Sequence, residues 1–134
     1  MIEIQRNVIN RDFMLKKRTE INDLFVKGER ISGNLLNVFV IQNKQETDAE
    51  IKIFISVPKK KIKKAHNRNL IKRRIKEAIR LNLREIKELC VENRIVLHLG
   101  FVYTKFTIEK FGSIQNDIIQ YLNKIQSNLL LQKR

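Results

Sequence analysis

Little in this sequence bends or staples the chain. It has one proline, Pro58, four glycines, one cysteine, Cys90, and no tryptophan. A lone cysteine cannot close an internal disulfide, so a disulfide framework is excluded. Cys90 falls in an apolar row and reads as a buried thiol of a reducing compartment, with the cytoplasm as the expected location. No apolar run approaches the ~20 residues that a membrane helix needs. The stretch from Met1 to Phe13 lacks the charged and then apolar order of a signal peptide. There is no Pro- or Gly-rich linker, repeat or low-complexity tract, so 134 residues are expected to make a single domain, 1–134. Residues 1–12 read as a loose arm and 126–134 as a frayed C-terminus.

The usual signs of protein-borne catalysis are missing too. Neither His66 nor His98 has a carboxylate or cysteine at metal-ligand spacing. His98, inside an apolar strand, is expected to be a satisfied core residue. Ser56 lacks the glycines of a nucleophile elbow, and no Gly-rich phosphate loop exists. Asp48 and Glu50 sit at an expected turn. Glu85 and Glu88 stand beside Arg84 and Lys87, where salt bridges explain them. No acid cluster suggests bound catalytic metals.

What the chain does have is basic charge in one place. The net charge is +14, from 28 basic and 14 acidic residues. Residues 1–58 carry nine basic against eight acidic groups, and residues 81–134 carry eight against five. Residues 59–80 carry eleven against one, Glu77. Such a block repels itself unless something anionic meets it.

The apolar pattern orders the elements. Ile21, Leu24 and Phe25 fall on one face of an expected helix over Phe13–Val26, which Gly28 stops. Residues 35–42 and 50–57 are rich in β-branched and aromatic residues and are expected to pair as an antiparallel hairpin. A short extra strand fits near Arg30. Pro58 ends the second strand. Ile71, Ile75, Ala78, Asn82, Ile86 and Leu89 recur at helical spacing and predict one long helix, starting between Lys63 and Asn67 and ending at Asn93. Residues 94–103 have the composition of a buried strand. Phe111, Ile114, Ile118, Leu122, Ile125 and Leu129 mark a last helix. The expected fold is α+β: a roughly four-stranded sheet packed with three helices, with a strand–helix–strand unit from Ile51 to Tyr103.

On a helical wheel, Ile71, Ile75, Ala78 and Asn82 gather within about 60°. Asn69, Lys72, Arg73, Lys76, Arg80 and Arg84 lie roughly opposite. The isoleucines therefore fix which way the cations point. Lys59, Lys60 and Lys61 precede the helix, whose N-terminal dipole favours a phosphate near Arg68 and Asn69. Rigid cations along one face suit the regular phosphates of a nucleic acid. A membrane-surface helix fits less well, because its apolar face is needed for the core.

Ser56-Val57-Pro58-Lys59-Lys60, followed by Arg68-Asn69, Lys72-Arg73 and Lys76-Glu77, resembles the signature of the bacterial ribonuclease P protein subunit. Leu70 stands where that family often has a second arginine. The order of elements fits from about Phe13 to Ile125, and the C-terminal third agrees in pattern. The resemblance implies a ribonucleoprotein that removes the 5′ leader of precursor tRNA, with catalysis and Mg²⁺ in the RNA subunit and no protein-bound cofactor. It implies one protein per ribonuclease P RNA and no membrane partner. It implies RNA contact through Lys59, Lys60, Lys61, Lys64, Arg68, Asn69, Lys72, Arg73, Lys76 and Arg80. It further implies a leader cleft at Ile21, Phe25 and Phe39, and a left-handed crossover around the basic helix. Without the resemblance, ordinary packing would be the plainer account of both phenylalanines. A structural RNA-binding protein, such as a ribosomal protein of similar build, is the alternative.

Overall fold

The structure is a computed structural model and describes residues 13–44 and 48–133, with side chains to position 129. The expected arm, 1–12, lies outside the described residues, as do the side chains of 130–134.

The elements run α1 (Arg18–Lys27), β1 (Glu29–Ser32), β2 (Leu36–Lys44), β3 (Glu50–Ser56), α2 (Ala65–Asn82), α3 (Arg84–Asn93), β4 (Ile95–Tyr103) and α4 (Phe111–Lys133). The four strands form one sheet in the order β1-β2-β4-β3. The expected hairpin is not there. β4 lies between β2 and β3, antiparallel to β2 and parallel to β3. The physical reason is burial. β4 is buried at Ile95 and at every position from Leu97 to Phe101, so it suits the centre. In β3 buried and half-buried residues alternate, as befits a flank.

Two other expectations are corrected. Phe13–Leu15 is extended, not helical. Leu15 N–H donates to the Ile53 carbonyl at 2.6 Å and Ile53 N–H to the Phe13 carbonyl at 2.8 Å. This segment covers the outer edge of β3, an edge that would otherwise offer unpaired backbone groups. Helix α1 therefore starts only at Arg18. It ends as expected at Gly28, whose N–H reaches the Leu24 carbonyl at 3.1 Å.

The long helix is also two helices, making four among the described residues. The break is at Leu83, which is buried and both ends α2 and opens α3. Just before it, Asn82 Nδ2 donates to the Ala78 carbonyl at 2.7 Å and to Gln115 Oε1 at 3.1 Å. An asparagine side chain competing for backbone carbonyls loosens the helical ladder there. The bend lets Ile86, Leu89 and Cys90 of α3 bury themselves.

The core lies on one face of the sheet. Leu36 and Val38, Ile51, Ile53 and Ile55, and Leu97, Leu99, Phe101 and Tyr103 point into it. Ile71, Ile75, Ala78 and Ile79 of α2 meet them, with Ile114, Ile118, Leu122 and Ile125 of α4. Helix α1 packs against the sheet through Leu24, which is fully buried and is worth about 1.5–3 kcal/mol by transfer. Its close approach requires Gly100. A Cβ there would lie 2.9 Å from Leu24 Cδ2.

Candidate nucleic-acid interface

Helix α2 keeps its isoleucines in the core and turns its cations outward. Lys72, Arg73, Lys76 and Arg80 are exposed, as is Asn69. Its first turn has no acidic residue and no side-chain cap, leaving N–H groups free for an anion. The turn before it is fixed from below. Pro58 accepts from the N–H groups of Lys61 and Ile62 at 3.0 and 3.1 Å, and Ile62 is buried. This holds Lys59, Lys60 and Lys64 on the surface beside the helix start.

The ten predicted RNA-facing residues are not alike. Among the described residues, Lys59, Lys60, Lys64, Asn69, Lys72 and Arg73 are exposed with no ion pair or side-chain hydrogen bond. Arg68 is half-buried, and its Nη1 donates to the carbonyls of Ile62 at 3.0 Å and Lys63 at 2.6 Å. It ties the turn to the helix. Arg80 grips Glu77 through Nε, 3.2 Å from Oε2, and through Nη2. The hydrogen bond and charge of Arg80 hold Glu77 below the usual carboxylate range, and Glu77 raises Arg80 in turn. Lys76 Nζ lies 5.5 Å from the Phe13 ring centroid and Lys61 Nζ 4.1 Å from that of Phe106. Arg74, which sequence reasoning did not single out, donates from Nη1 to the Glu109 carbonyl at 2.6 Å.

The other side of the sheet holds a row of rings. Phe39 of β2 and Phe54 of β3 both stand opposite Gly100 of β4. Phe25 of α1 meets both, edge to face, with centroids 4.7 Å from Phe39 and 5.6 Å from Phe54. All three are half-buried. Ile21 is half-buried too, one helical turn from Phe25 on α1. The structure thus brings Phe25 and Phe39 together and adds Phe54. The signal for Phe54 was its alternation with Ile51, Ile53 and Ile55, which puts it on the opposite face.

Beside the rings, between α1 and β2, is a cleft of about 570 Å³ with Ile41 and His98 among its lining residues and Glu20, Asp23 and Glu29 around them. His98 departs from expectation. It is buried, but its Nε2 has no hydrogen-bond partner among the described residues and stands 3.8 Å from Glu50 Oε2. No cluster of three metal-ligating side chains occurs among the described residues. No described helix is long and apolar enough to cross a membrane.

These features define a class: an α+β domain with a fixed cationic helix on one side of its sheet and an aromatic row on the other. The family model for ribonuclease P matches residues 9–126. The chain belongs to the ribonuclease P protein family. That membership gives it a role in ribonuclease P and tRNA processing, and an RNA partner in that complex.

The ribonuclease P protein component of Porphyromonas gingivalis is 26% identical over 121 residues, covering 90% of this chain and 88% of that protein. That of Clostridioides difficile is 36% identical over 76 residues, covering 57% of this chain and 63% of that protein. The fold is shared with solved structures. The Staphylococcus aureus RNase P protein superposes with a TM-score of 0.60 at 24% identity, over 86% of this chain and 95% of that one. The Thermotoga maritima protein gives 0.62 at 20% identity, over 83% and 96%.

Proposed function

We propose that this chain is the protein subunit that docks on the catalytic RNA of ribonuclease P through the outer face of α2 and the turn before it. The observation that carries this is an exposed cationic face whose geometry is set by buried Ile71 and Ile75 and which, from Lys59 to Lys76, has no acidic residue. Lys59, Lys60, Lys64, Lys72 and Arg73 meet phosphates directly. Arg68 holds the turn in place and offers its remaining N–H groups.

The aromatic side binds the single-stranded 5′ leader of precursor tRNA. Phe25, Phe39 and Phe54, with Ile21 beside them, give a surface on which bases of any identity stack, worth ~1–3 kcal/mol per base. A leader of variable sequence needs that tolerance. Cleavage of the leader takes place on the RNA subunit with its Mg²⁺. The protein lowers the repulsion between two polyanions, one protein per RNA, in the cytoplasm.

The test is binding to a bacterial ribonuclease P RNA as a function of salt. Lys72→Ala and Arg73→Ala should each weaken binding and flatten the log–log salt slope by about one. Unchanged slopes would remove both residues from the RNA face. Phe39→Ala should leave that affinity alone and weaken binding of a precursor tRNA that carries a leader. Equal loss with a leaderless tRNA would sink the cleft assignment.

A further inference from the structure

We infer that Phe106 is an additional stacking site for an unpaired base of the RNA that lies along α2. This rests on the proposed docking of α2 on ribonuclease P RNA and extends the contact beyond the helix. A lone exposed phenylalanine is ordinary on a protein surface. Three observations set this one apart.

First, Phe106 is 70% exposed, and the loop that carries it is braced at several points. Tyr103 Oη donates to the Thr107 carbonyl at 2.7 Å and accepts from Glu109 N–H at 3.2 Å. Thr104 Oγ1 donates to the Leu35 carbonyl at 3.0 Å. The bond from Arg74 to the Glu109 carbonyl ties the loop to α2 itself. The apolar ring is thus held out in water by a fixed frame, so little ordering remains to be done on binding.

Second, Lys61 Nζ sits over the ring, 4.1 Å from its centroid. Lys61 belongs to the turn that also presents Lys59, Lys60 and Lys64. The ring therefore adjoins the cations that would hold phosphates, which is the combination that binds unpaired nucleotides.

Third, the ring stands apart from the aromatic row. Phe25 meets both Phe39 and Phe54, whereas Phe106 lies under Lys61. It serves neither the core nor the proposed leader surface. The residue type and setting fit a base and exclude a phosphate as the group contacted, since a phenyl ring offers no hydrogen bond to an anion.

The experiment measures binding of the full chain and its variants to a bacterial ribonuclease P RNA, and separately to precursor tRNA, across a salt series. Phe106→Ala and Phe106→Leu should weaken binding to the ribonuclease P RNA roughly 5- to 100-fold, while Phe106→Tyr, which keeps the ring, stays near wild type. The salt slope should not change, because stacking releases no counterions. Thermal unfolding of each variant should match wild type, since the side chain is exposed. Wild-type affinity in Phe106→Leu overturns the inference, as does a loss confined to precursor tRNA. Failure of the unsubstituted protein to bind the RNA at all refutes the docking of α2 and the stacking site with it. Retained docking with a silent Phe106→Leu refutes the stacking site alone.

Discussion

Arg68 and Lys72 sit one turn apart on α2 and do different work. Arg68 spends a guanidinium nitrogen on the carbonyls of Ile62 and Lys63, whereas Lys72 is exposed. Arg68→Ala should therefore destabilise the free protein by about 1–2 kcal/mol. Lys72→Ala should stay within ~0.5 kcal/mol. Urea unfolding of the two variants checks this, and equal stabilities would contradict the bracing role. Cys90 is fully buried, and burial pushes its thiol up from 9.0 to about 12. A raised folded value means that its stabilising contribution is complete below pH 9 and fades as pH rises toward 12. At pH 8 the native thiol should react with a disulfide reagent at least ~100-fold more slowly than the denatured thiol. Similar rates would show that the site opens readily. At Gly100, an added methyl meets Leu24 at 2.9 Å. Gly100→Ala should cost about 1–3 kcal/mol by lifting α1, read as a lower unfolding temperature.

At the scale of elements, what periodicity could decide was legible and what pairing decides was not. The stripe of Ile71, Ile75 and Ala78 identified α2 and the direction of its cations, and all three are buried. The alternation in 50–57 gave β3 its two faces. No local pattern, however, says that β4 inserts between β2 and β3, because strand order is set by which strand can be buried on both sides. The break at Leu83 was equally hidden. It lies beside Asn82, whose side chain meets Gln115, a residue 33 positions away. Phe106 lies in a loop with no period, and its exposure on a braced loop beside Lys61 becomes visible only in three dimensions. For α2 itself, Ile75→Ala should cost about 2–5 kcal/mol, since Ile75 is wholly buried beneath the cationic face. Thermal unfolding reads this out. A cost under ~1 kcal/mol would mean that the helix is not anchored as described.

On the whole-molecule scale, a net charge of +14 on 134 residues leaves the free protein under self-repulsion. The excess is concentrated on α2 and its approach, so anions that bind there should stabilise the fold by mass action. Sulfate should raise the unfolding temperature more than chloride at equal ionic strength, and less so in Lys72→Ala. The fold supplies the rest of the logic, with cations on the helix that covers one face of the sheet and aromatic rings on the other. Under the proposed function, two RNA strands are held at once. The most direct test of that arrangement is cleavage of precursor tRNA by a bacterial ribonuclease P RNA at low Mg²⁺, with and without this protein. Faster removal of the 5′ leader with the protein, and no cleavage by the protein alone, is the predicted result. A rate no greater than that of the RNA alone would contradict it.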